Sequence, residues 1–157
     1  MIDAKRRMLL KGSFAAGTIG VAVGAGLLTP RLVLAEWNKA AFEAKDTAAA
    51  LTDLLGSDAT ETSDAIQIKA PDIAENGAVV PVAVETDMEG VQSISILASG
   101  NTTPLVASFD LGAAALPFAA TRIKMGKTAD VVAVVKTADK VYSNAKSVKV
   151  TIGGCGG

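Results

Sequence analysis

The stretch VVPVAVE, Val79 to Glu85, sets Val80, Val82 and Val84 two residues apart with Pro81 and Ala83 between them. Successive side chains of an extended chain point to opposite faces, so this spacing predicts a strand with one apolar and one mixed face. The same alternation recurs at Leu105/Ala107/Phe109 and at Val148/Val150/Ile152. With the neighbouring runs rich in β-branched residues, strands are predicted at Ile66–Lys69, Val79–Glu85, Val91–Ala98, Leu105–Leu111, Phe118–Met125, Val131–Lys136 and Lys140–Ile152. Breakers fall where hairpins need them, at ENG (Glu75 to Gly77), SGN (Ser99 to Asn101), MGK (Met125 to Lys127) and ADK (Ala138 to Lys140). Short strands at roughly ten-residue spacing indicate a mainly β domain, an immunoglobulin-like antiparallel β-sandwich. With one cysteine in the chain, no disulfide staples its sheets.

Pro81 lies inside one of these strands. Proline cannot donate a ladder hydrogen bond, so it is expected at an edge or a bulge. Such an edge is either protected or occupied by a partner subunit.

Upstream the period changes from 2 to 3.6. In EWNKAAFEAKDTAAALTDLLGSD (residues 36–58), Trp37, Ala41, Ala44, Ala48, Leu51 and Leu55 follow one another at alternating steps of four and three. They form one face of an amphipathic helix, with Asn38 as N-cap and Gly56 just beyond its end. Half of the stripe is alanine, which suits close approach to a surface of its own domain or of a partner.

Residues 1–35 read as an address. KRRMLLKG (Lys5 to Gly12) precedes an apolar run from Phe14 to Leu28, 15 residues long, and Val33-Leu34-Ala35 forms a small-residue cleavage pattern. The run falls short of the ~20 residues that span a bilayer, so cleavage before Glu36 is expected, with an uncleaved anchor as the alternative. Arg6 and Arg7 followed by Met8-Leu9-Leu10-Lys11 resemble a twin-arginine export signal, which places the mature chain in the periplasm.

Removing this segment takes away five of 15 basic residues and one of 16 acidic residues, leaving 10 against 15, a net charge of −5 over 122 residues. A chain this acidic, without a basic run, carries no electrostatic footprint for nucleic acid. Nothing supports membrane binding after cleavage. Histidine is absent, which removes Ser-His-Asp and Cys-His catalysis and histidine-based zinc sites. No CxxC, P-loop or dinucleotide fingerprint is present. The residue inventory therefore points to no catalytic residues, no metal and no cofactor of the chain's own.

The single cysteine, Cys155, stands in TIGGCGG at the end of the chain, between Gly153-Gly154 and Gly156-Gly157. An odd cysteine in an exported protein implies an intermolecular bond or a reactive free thiol. Four glycines add no side-chain bulk and leave the backbone free, so a slim, flexible arm is predicted over residues 153–157. Extended, the steps from Ile152 to Cys155 reach about 10 Å. Such a tip suits a thiol that other proteins' active sites must reach. A disulfide between two tails, an incidental cysteine, and a thiol oxidoreductase or sulfurtransferase using Cys155 itself are the competing readings. The domain itself occupies residues 36–152.

The ending KVTIGGCGG (Lys149 to Gly157), together with APDIAENGAVVPVAVE (Ala70 to Glu85) and ATRIKMG (Ala120 to Gly126), resembles the SoxY family. These are sulfur-carrier subunits of the periplasmic Sox thiosulfate-oxidation system. The resemblance extends over essentially the whole chain. It implies a carrier without catalytic activity, paired with a second small β-sandwich subunit, SoxZ. It also implies that a haem enzyme, SoxAX, oxidatively joins thiosulfate to Cys155 as an S-thiosulfonate. A dimanganese hydrolase, SoxB, then releases sulfate and leaves a persulfide, and in some organisms a sulfur dehydrogenase oxidises the remaining sulfane sulfur. Gly153, Gly154, Gly156 and Gly157 become the swinging arm. The alternative function is an exported structural β-sandwich that forms an intermolecular disulfide through its tail.

Overall fold

The computed structural model describes residues 38–151. The export segment with Arg6 and Arg7, and the tail from Ile152 to Gly157, lie outside the described residues. Two helices, α1 (Lys39–Glu43) and α2 (Thr47–Leu55), precede the strands β1 (Glu61–Thr62), β2 (Ile66–Lys69), β3 (Ile73–Ala74), β4 (Val80–Thr86), β5 (Val91–Ala98), β6 (Leu105–Asp110), β7 (Phe118–Ile123), β8 (Ala129–Thr137) and β9 (Val141–Val150). A large sheet runs in the order β1-β9-β8-β5-β6, with β3 also paired to β9, and a small sheet runs β2-β4-β7. The alternation in β4 buries Val80, Val82 and Val84. They share one core with Ile66, Ala119 and Ile123 of the small sheet and Ile94, Ile96, Val131, Ala133, Val135 and Val148 of the large one. The fold is an immunoglobulin-like sandwich, mostly antiparallel as the periodicity predicts.

The predicted helix is two helices folded back on one another. The Asp46 side chain accepts from the Ala49 backbone N–H at 2.8 Å and caps α2. A short acidic side chain that bonds the backbone locally competes with continuation of a helix. Asn38 caps α1 as expected, and its Nδ2 donates to the Asp53 carbonyl at 2.7 Å, tying the start of the first helix to the second. Gly56 takes φ 84° at the end of α2, the left-handed conformation that glycine adopts freely. Ala41, Ala50 and Leu51 pack with Leu97, Leu105 and Val134, so the helices cover the outer face of the large sheet. This explains why β5 is buried on both faces from Ser93 to Ala98, with the Ser95 hydroxyl satisfied by Ser108 at 3.0 Å. Leu51→Ala should lower stability by about 2–4 kcal/mol, the range for a buried leucine whose site relaxes only in part. Urea unfolding of the helix-bearing domain checks this.

Pro81 is not on an edge strand, because β4 is central in the small sheet. The ladder explains how it is tolerated. The Thr86 N–H donates to Pro117, and alternation along the β4–β7 register then makes Pro81/Arg122 a pair without mutual hydrogen bonds. The missing N–H of Pro81 therefore points toward β2. That ladder ends at Lys69/Ala83, and its next hydrogen-bonded pair would have been Pro71 with Pro81, neither of which can donate. Past Ala70-Pro71 the chain leaves the small sheet and joins β9 as β3. The predicted hairpin at SGN joins β5 to β6, and ADK joins β8 to β9, whereas ENG and MGK are crossings between the two sheets.

The last strand β9 is flanked on one side by β8 and on the other by two short parallel strands, β1 at Tyr142–Ser143 and β3 at Lys149–Val150. Between them, side chains of β9 do what a strand would. Asn144 Nδ2 donates to the Ile66 carbonyl and Lys146 Nζ to the Ala70 carbonyl, each at 2.7 Å, bridging β9 to β2. At the other end, Lys140 Nζ meets Glu61 at 2.8 Å with both side chains exposed. The hydrogen bond that Lys140 donates to Glu61, then the Glu61 charge, raises the Lys140 pKa above its ordinary 10.5. Because the value is raised on folding, any stabilisation is complete below 10.5 and is lost as pH rises through the folded value. An exposed pair contributes little, so Lys140→Met should leave the unfolding midpoint nearly unchanged at neutral pH. A urea titration at neutral and strongly alkaline pH tests this.

Candidate functional site

The site singled out by sequence, Cys155 with Gly153, Gly154, Gly156 and Gly157, lies outside the described residues, as do Arg6 and Arg7. What the structure places is the root from which this tail leaves the sandwich. The last three described backbone donors are each satisfied by a different neighbour. The Lys149 N–H donates to Asp72 at 2.9 Å and the Thr151 N–H to Ala74 at 3.1 Å. The intervening Val150 N–H points to the opposite side, where β8 has not yet begun. There Thr128 Oγ1 accepts it at 2.9 Å, and the Thr128 hydroxyl donates back to the Val150 carbonyl at 3.3 Å. One side chain thus replaces the missing strand residue and holds both polar groups of Val150.

The Val150 side chain is fixed from a third direction. Gly77 passes so close that a Cβ there would lie 2.4 Å from the Met125 carbonyl oxygen and 2.8 Å from Val150 Cγ1. Its carbonyl accepts the Met125 N–H at 2.7 Å. The turn that carries Met125 is itself held by Asn101, whose Nδ2 donates to the Lys124 carbonyl at 2.7 Å and whose Oδ1 accepts the Gly126 N–H at 3.0 Å. In the sequence Gly77 and Gly126 read as turn breakers. At Gly77 the need is space for the neighbouring backbone and Val150, which the sequence marks only as a glycine. Thr128 carries no sequence signal for its role, because its partner is 22 residues away.

A second feature is a shallow hollow of about 1020 Å³ at the outer side of the small sheet, lined in part by Pro71, Pro81, Ala83, Ala120, Arg122 and Lys146. It opens where the β2–β4 ladder stops at the two prolines. Lys146 is engaged with Asp72 at 3.1 Å as well as with the Ala70 carbonyl, and Lys69 is paired with Glu85. No carboxylate lines the hollow, so it offers no acid–base pair. Among the described residues, no group of three His, Cys, Asp or Glu is placed to hold a metal ion, and no helix is long and apolar enough to cross a membrane.

The family model for sulfur oxidation protein SoxY matches residues 51–155, a range that takes in both the root and Cys155. The chain belongs to the SoxY family. Among solved structures, the SoxY sulfur carrier protein from Chlorobium limicola f thiosulfatophilum is 47% identical, with 66% of this chain and 94% of that chain covered and a TM-score of 0.60. A superoxide reductase (neelaredoxin) from Ignicoccus hospitalis superposes with a TM-score of 0.54 over 59% of this chain and 95% of that chain, at 14% identity. At that identity the likeness is one of fold alone. No curated protein sequence matches the chain. SoxY membership leaves the root residues Gly77 and Thr128 inside the matched range and places Cys155 at its last position.

Proposed function

We propose that this chain carries sulfur intermediates of thiosulfate oxidation as covalent adducts of Cys155, without catalysing their conversion. The observation that carries this reading is the SoxY match running to the lone cysteine, in a chain with no histidine. In the first step the thiol and thiosulfate give a cysteine S-thiosulfonate, with one proton released to water and two electrons passed one at a time to a haem-bearing partner enzyme as the oxidant. In the second, water cleaves the terminal S–S bond at a partner hydrolase, giving sulfate, a proton and the cysteine persulfide. The thiolate is the reacting form, and the four glycines allow the tip to enter a narrow site with its adduct. The chain works in the periplasm after twin-arginine export and removal of residues 1–35.

Intact mass spectrometry of the mature protein from cells grown on thiosulfate tests this. Adducts that grow by a sulfur atom or by an S–SO3 unit on Cys155 are expected. A stable doubled mass would instead establish the structural disulfide, and turnover by the purified chain alone would make it an enzyme.

The carrier works as a heterodimer with a SoxZ-like subunit. Of the helices' predicted apolar stripe, Ala41 and Leu51 are already buried against the large sheet while Ala48 is exposed, so the larger apolar surface left for the partner is the outer face of the small sheet, where Pro81, Ala120 and Arg122 are exposed and Phe118 and Leu116 show 50% and 82% of their surface. A standard interface hides roughly 800 Å² per partner. Hydrogen exchange with and without SoxZ should slow on β4 and β7. Protection confined to α1 and α2, or no complex at micromolar concentration, would overturn the assignment.

A further inference from the structure

We infer that Thr128 and Gly77 form a collar that fixes the root of the Cys155 arm, making them positioning residues for its presentation to visiting enzymes. This rests on the carrier reading, and the observation behind it is independent of that reading. The N–H groups of Lys149, Val150 and Thr151 alternate between Asp72, Thr128 and Ala74, so the backbone is held from both sides up to the last described residue. The β8–β9 register would set residue 127 opposite Val150, but β8 begins at Ala129, two residues too late to do this with its own backbone. The Thr128 hydroxyl supplies the missing pair of bonds, one accepted and one donated. Gly77 closes the third side, since its lack of a Cβ leaves the space that Val150 Cγ1 occupies.

The consequence is a fixed pivot. Every residue released from the root lengthens the tether by about 3.5 Å. If Val150 and Thr151 were freed, the reach to Cys155 would grow from roughly 14 to roughly 21 Å. The local concentration of the thiol at any one docked active site would then fall about two- to fourfold, since effective concentration declines with tether length at least as the −3/2 power. The collar thus raises the productive fraction of encounters without touching the thiol.

The test uses the full mature chain with its partner subunit. Thr128→Val keeps the shape and removes both hydrogen bonds, and Thr128→Ser restores them. Gly77→Ala forces Val150 or Met125 to move. Nitroxide labels at Cys155 and at an introduced cysteine, Asp139→Cys, report the spread of distances between the arm tip and the far end of the β8–β9 hairpin. Thr128→Val should broaden that distribution and speed amide exchange at Val150 and Thr151, with Thr128→Ser close to the parent protein. In unlabelled protein, kcat/KM for adduct hydrolysis by the sulfate-releasing enzyme should fall about two- to fourfold with kcat unchanged. An unaltered distance distribution overturns the collar, whether or not Gly77→Ala folds. A broadened distribution with unaltered kcat/KM overturns its role in presentation. If the parent protein is not processed at all, the carrier reading fails, while the label distances still decide whether Thr128 holds the root.

Discussion

Cys155→Ser should abolish thiosulfate-dependent turnover in a reconstituted Sox system and remove every covalent adduct from the protein. The hydroxyl of serine cannot form the S–S bond on which both steps depend, and no second cysteine exists to take over. The substitution exchanges one atom in a residue flanked by two glycines on each side, so the circular dichroism spectrum and the urea midpoint should be unchanged. Both are measured on the same preparation as the turnover. Retained consumption of thiosulfate would remove the carrier assignment. Loss of structure would show that the tail belongs to the core.

The second large effect concerns the width of the arm. Replacing Gly156 and Gly157 by leucine leaves the tether before the thiol intact and thickens its tip. Replacing Gly153 and Gly154 by alanine restricts the tether and adds two methyl groups. If entry into a narrow enzyme channel limits processing, the leucine pair should reduce kcat/KM on the order of a hundredfold, as misplacement of a reacting group by an ångström can. The alanine pair should cost less, about four- to thirtyfold, corresponding to the roughly 0.4–1 kcal/mol by which each of the two changes biases a chain. Reactivity of Cys155 toward a small thiol reagent should be the same in all variants. Unchanged processing in both pairs would show that the adduct reacts at an open surface. A loss confined to the alanine pair would make backbone freedom the decisive property.

Of the longer strands, β4 was legible by its period-2 alternation, which needs no knowledge of partners, and β5 and β8, which bury consecutive residues on both faces, by their runs of β-branched residues. β2 and β5 begin and end at the predicted residues, and β4, β6, β7, β8 and the start of β9 differ from prediction by a residue or two. The two-residue strands β1 and β3 were not legible. Too short to show a period, they exist because β9 offers an edge that parallel neighbours can cover. The break between α1 and α2 was hidden by an unbroken alanine stripe, although Asp46 marks it once its capping role is known. Pro81 signals an edge or a bulge, yet β4 as a whole is central, because proline requires only that the one pair with Pro71 be absent. Of the candidate site, Cys155 and its glycines stand out by composition alone. The root does not, since Thr128, Gly77 and Val150 meet only after both sheets have formed.

The double flanking of β9 has a mechanical consequence. A pull on Thr151 along the strand, as when a visiting enzyme departs while still gripping the tip, meets hydrogen bonds to β8 that lie across the direction of force. On its other side the anchorage to β3 and the side-chain bridges from Asn144 and Lys146 to β2 are loaded as well. Such an arrangement yields by shearing many bonds together rather than by peeling them one at a time. The weakest link under axial load should then be the grip of the enzyme on the tip, so that repeated docking and release leave the domain folded.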